Sequence, residues 1–133
     1  MKIWIGAEMN ADVADAYRIA RNSVEKAIND VVQKKAYSLP VDTWSCIGIV
    51  RDDTVFEERM RLQKKQRKMD FRLRIPYTEF RKSSSAERER MIFEMLMRSV
   101  SILRSKTDDS AAFAAFGDDL HSVAIAKGWI QAS

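Results

Sequence analysis

Glycine, proline, cysteine and histidine are all scarce in this chain of 133 residues, which holds four, two, one and one of them. So few Gly and Pro fit neither a disordered chain nor a loop-rich scaffold. The lone Cys46 has no partner for an internal disulfide, as expected in a reducing compartment. With His121 as the only histidine and Cys46 as the only cysteine, no Cys/His zinc site is expected, and no sequence signature marks a Ser/His or Cys/His nucleophile pair. The glycines, Gly6, Gly48, Gly117 and Gly128, are too scattered to cradle a phosphate. No apolar run is long enough to span a bilayer. The opening Met1-Lys2-Ile3-Trp4-Ile5 soon meets Glu8, Asp12 and Asp15, so it reads as neither a signal nor a transit peptide. These absences predict a soluble cytoplasmic protein without metal, cofactor or membrane attachment.

Apolar residues make up 46% of the chain and charged residues 32%. That composition and length suit one domain, residues 1–133, burying roughly two-thirds of its unfolded surface. The net charge of +4 is unevenly spread. Residues 55–82 hold ten Lys/Arg against four Asp/Glu, whereas residues 107–133 hold one Lys against four Asp. The positive charge therefore belongs to one central segment.

Residues 2–8 alternate and predict a strand. Asn10 is a suitable N-cap for a helix over about 11–34, carrying Val13, Tyr17, Ala20, Val24, Ala27, Ile28 and Val31 at helical spacing. Residues 36–42, with Pro40, read as a connector. Thr43–Val50 reads as a strand ended by Arg51-Asp52-Asp53-Thr54. Two strands follow around a charged turn near Lys65-Gln66. In the second, Met69, Phe71, Leu73 and Ile75 alternate with Asp70, Arg72 and Arg74. Ser84 and Glu87 match a capping box for a helix to about Ser105. Its broad apolar face, with Met91, Phe93, Met95, Leu96 and Met97, predicts burial on more than one side. Asp108 or Asp109 can cap a last helix over about 110–127, stopped by Gly128. The expected fold is α+β, an antiparallel sheet of about four strands in the order β-α-β-β-β-α-α, with helices packed on one face.

His121 reads as a surface or capping residue, and Cys46 as a small buried hydrophobe. The acidic pairs Asp52-Asp53, Glu57-Glu58, Asp108-Asp109 and Asp118-Asp119 fall near turns and helix ends, where capping and solvation explain them. The central basic segment is the candidate site. If it is a hairpin, Arg59, Arg61, Arg72 and Arg74 share the polar face, joined by Lys2 and Trp4 from the opening strand. Adjacent rows of like charge are unfavourable and suit a counter-charge, and Arg and Trp are enriched at binding hot spots.

The strand Lys2-Ile3-Trp4-Ile5, the helix with Arg18-Ile19-Ala20-Arg21-Asn22 and Glu25-Lys26-Ala27-Ile28-Asn29-Asp30, the strand Met69-Asp70-Phe71-Arg72-Leu73-Arg74-Ile75 and a helix with Leu96, Arg98-Ser99 and Leu103 follow in order. In this the chain resembles the bacterial immunity proteins encoded beside polymorphic or contact-dependent inhibition toxins, immunity protein family forty-four. The resemblance covers about residues 1–105 and leaves the last helix unmatched. It implies a cytoplasmic protein that binds and blocks a cognate toxin C-terminal domain; that the chain is no enzyme is expected from the want of any catalytic constellation. It supplies no set of binding residues, so the toxin-binding expectation stays with Arg59, Arg61, Arg72, Arg74 and Trp4. The mild basic balance argues against a strongly basic nuclease as the toxin. An alternative binding surface is the acidic end at Asp108, Asp109, Asp118 and Asp119. The alternative function is an RNA- or single-strand-binding module on the arginine-rich sheet. Nucleic acid is disfavoured because the strand order and aromatic motifs of the common RNA-recognition fold are missing. The oligomeric state is left open.

Overall fold

The computed structural model describes residues 2–9, 13–35, 37, 43–51, 61–63, 68–105 and 110–131, the strands by their backbone and most of the helices with their side chains. The elements run β1 (Lys2–Met9), α1 (Ala14–Val32), β2 (Thr43–Arg51), β3 (Arg61–Gln63), β4 (Lys68–Pro76), α2 (Tyr77–Lys82), α3 (Ser85–Ser105) and α4 (Ser110–Lys127). Asn10, Arg59, Lys65, Gln66, Asp108 and Asp109, all named above, lie outside the described residues.

The expected fold class needs correction. Where side chains are described, 86% of the residues are helical and none lies in a strand. The protein core defined by those side chains is therefore a helical body and not the face of an antiparallel sheet. The strand backbones, for their part, run mainly parallel. Their order is β1-β2-β4-β3, with β1 parallel to β2, β2 parallel to β4, and only β3 antiparallel to β4. The physical reason is connectivity: parallel neighbours need a long crossover, and α1 supplies one between β1 and β2. Between β2 and β4 the chain first lays β3 at the far edge and then returns. The short helix α2 is absent from the expected order; it follows Pro76, which cannot donate to a sheet ladder.

In α1 the buried residues are Tyr17, Ala20, Val24, Ile28 and Val32, a single stripe three or four positions apart. Val13 precedes the helix and is buried too, while Arg18, Lys26 and Asp30 are exposed. Helix α3 buries Ile92, Phe93, Met95, Leu96, Ser99 and Val100. So wide an apolar arc fits its neighbours, since α3 packs on α1, α4, β2 and β4. The α3 N-terminus is capped as its sequence predicts, the Glu87 amide donating to Ser84 Oγ at 3.3 Å. Before it, Arg88 donates to the carbonyls of Phe80 and Arg81 at 3.0 and 2.9 Å, satisfying the end of α2.

Helix α4 packs on α1 and α3 through Phe113, Phe116, Leu120, Val123 and Ala124. Gly128 ends it with φ 76°, and the amides of Gly128 and Trp129 donate back to Ile125 and Ala124 at 3.1 and 2.9 Å. Only glycine adopts that left-handed conformation without cost. The turn folds Trp129 onto Phe93, ring centroids 5.3 Å apart. No described helix is long and apolar enough to cross a membrane.

Candidate functional site

The sheet register determines which residues can share a surface. Side chains alternate along a strand, and residues directly paired across strands lie on the same face. On β4 the positions Lys68, Asp70, Arg72 and Arg74 pair with Thr43, Ser45, Ile47 and Ile49 of β2. Those in turn pair with Lys2, Trp4, Gly6 and Glu8 of β1. On the other side of β4, Arg61 and Gln63 pair with Asp70 and Lys68. The opposite parity reads Ile3, Ile5 and Ala7; Trp44, Cys46, Gly48 and Val50; Leu62; and Met69, Phe71, Leu73 and Ile75. One face is thus apolar by position and the other carries the charge.

Of the five expected site residues, Trp4, Arg61, Arg72 and Arg74 hold register positions on that charged face, and Arg59 is outside the described residues. They are not equivalent. Arg61 holds the register position opposite Asp70, of opposite charge. Arg72 and Arg74 stand opposite Ile47 and Ile49, so on β2 they face no counter-charge. Trp4 sits on β1 with β2 between it and β4, about 10 Å from the arginine strand by the usual spacing of paired strands. The register therefore brings Arg72 and Arg74 together and sets Trp4 apart at the far edge.

At the acidic end, Asp119 is held by named partners. The Asp119 carboxylate accepts two hydrogen bonds from Lys35 Nζ, at 3.0 and 3.1 Å, and one from the Tyr37 hydroxyl. These contacts clamp α4 to the chain just after α1. The Tyr37 hydrogen bond holds the Asp119 carboxyl below its ordinary range; partial burial opposes that shift and Lys35 reinforces it. Burial, then the same carboxylate, pushes the Tyr37 hydroxyl well above its ordinary value. Asp118 is exposed, as is His121. The sequence held no sign of this clamp, because its members are 82 and 84 positions apart.

Two surface depressions are lined by described residues. One of about 370 Å³ is lined by Glu87, Arg90, Glu94, Trp129 and Ile130 among others, with Arg90 and Glu94 paired at 3.8 Å. The other, about 190 Å³, lies between α1 and α3 beside exposed Ile19, where Ser23 donates to Glu89 at 2.6 Å. Neither lining set contains a His or Cys, and no group of metal-binding side chains occurs among the described residues.

The family model described as immunity protein 44 matches residues 1–125. The match continues past residue 105 through most of α4, the helix that the sequence resemblance left unmatched. No curated protein and no solved structure matches the chain.

Proposed function

We propose, for a chain that belongs to the immunity protein 44 family, that it binds and neutralises the C-terminal domain of a cognate toxin in the cytoplasm, without catalysis. The family match across residues 1–125 carries this reading. The toxin would be one delivered by contact-dependent or related inhibition. Its docking surface is the charged sheet face, centred on Arg72 and Arg74 and extended by Arg61, Arg59 and Trp4.

Two adjacent arginine positions without an acid opposite them on β2 support that choice. An acidic patch on the toxin would relieve their mutual repulsion and offer charge-assisted, bidentate hydrogen bonds. The acidic end is less suited, because Asp119 is already committed to Lys35 and Tyr37. Expression of the cognate toxin domain with and without this chain tests the function. Restored growth together with a co-purifying stoichiometric complex is the expected result. Growth arrest despite soluble chain would overturn it.

A further inference from the structure

The outer edge of β1 carries eight residues, Lys2–Met9, and among the described residues no strand pairs with it. Exposed sheet edges present a row of free amides and carbonyls, and proteins usually blunt them with proline, bulges or central charges. Here positions 3–7 read Ile-Trp-Ile-Gly-Ala, with charge only at Lys2 and Glu8 near the two ends.

We infer that β1 pairs with β1 of a second copy of this chain, antiparallel about a two-fold axis at Ile5, joining two four-stranded sheets into one. Continuity of the apolar face requires residues of equal parity to stand opposite one another. Centring on Ile5 meets that condition, and it also matches the sequence to itself. Lys2 of each copy then stands opposite Glu8 of the other, two complementary charge pairs. Ile3 stands opposite Ala7, and Ile5 opposite its own copy. Trp4 stands opposite Gly6 twice, the aromatic–glycine pairing that compensates a glycine in a strand. A two-fold interface is self-complementary, so each favourable pair occurs twice. The edge lies three strands from β3, leaving the arginine positions of β4 available to another partner.

The test is sedimentation or light-scattering mass on the full chain and three variants. The wild type should run at twice the 15.3 kDa chain mass. Lys2→Glu sets acid opposite acid, and Glu8→Lys sets base opposite base; each alone should shift the population to monomer. An equimolar mixture of the two should recover dimers, since each strand then meets its complement. The double variant Lys2→Glu/Glu8→Lys should dimerise like the wild type, which guards against loss through misfolding. A monomeric wild type, or single variants that remain fully dimeric, would overturn the proposal.

Discussion

Tyr37 donates its hydroxyl to the carboxylate of Asp119, 82 positions later in the chain. With Lys35 on the same carboxylate, the pair fastens α4 against the end of α1. Removing one partner deletes or weakens a charge-assisted hydrogen bond at a partly buried site. Tyr37→Phe and Asp119→Asn should each destabilise the fold by about 1–2 kcal/mol, read from urea midpoints at neutral pH.

The same carboxylate sets a pH dependence. Its pKa is lower folded than unfolded, so its contribution is present above the ordinary aspartate pKa of 3.8 and is lost as pH falls through the folded value. The stability gap between wild type and Asp119→Asn should hold steady from neutral to about pH 5 and close below about pH 4. Thermal melts across that range check it. A gap that widens in acid would assign the effect to another group.

Two glycines should respond in opposite directions. Gly128 sits at φ 76°, and an added Cβ would meet nothing within 4 Å, so only backbone strain opposes substitution. Gly128→Ala should cost about 1 kcal/mol. Gly117 lies inside α4, also with nothing within 4 Å of a built Cβ. Gly117→Ala should add about 0.5–1 kcal/mol of stability by helix propensity. Denaturant unfolding of the two variants separates them.

How legible this was depended on the range of the interaction. The spacing of Tyr17, Ala20, Val24 and Ile28 announced α1, though the buried stripe ends on Val32 and not on the expected Val31, and Gly128 announced the end of α4; both signals lie within a few turns of one helix. Sheet direction was not legible. Alternation in Met69–Ile75 fixes which residues share a face, and it is the same whether the neighbouring strand runs parallel or antiparallel. Pairing of β2 with β4 in parallel is set by the path of the chain through β3. Helix α2, six residues long, is too short to show a period. Within the candidate site, the shared parity of Arg61, Arg72 and Arg74 could be read from the sequence. The isolation of Trp4 on the far edge strand could not, because it follows from strand order.

The helical core should be sensitive where it is closed. Phe116 is fully buried and meets the Tyr37 ring edge-on at 5.2 Å. Phe116→Ala should cost about 3–5 kcal/mol. Ile19 is 66% exposed, and Ile19→Ser should be close to neutral. Equal losses from both would contradict the burial pattern of α1 and α4.

The most direct test of toxin neutralisation through the charged face is charge reversal in cells that express the cognate toxin. The Arg72→Glu/Arg74→Glu variant should lose protection while its thermal midpoint stays near that of the wild type. Exposed Asp118 is the proper control on the acidic end, since reversing Asp119 would break the clamp to Lys35 and Tyr37. Asp118→Lys should protect fully. Survival of cells carrying the double arginine variant, with loss of protection by a folded Asp118→Lys variant, would contradict the account and move the binding surface to α4.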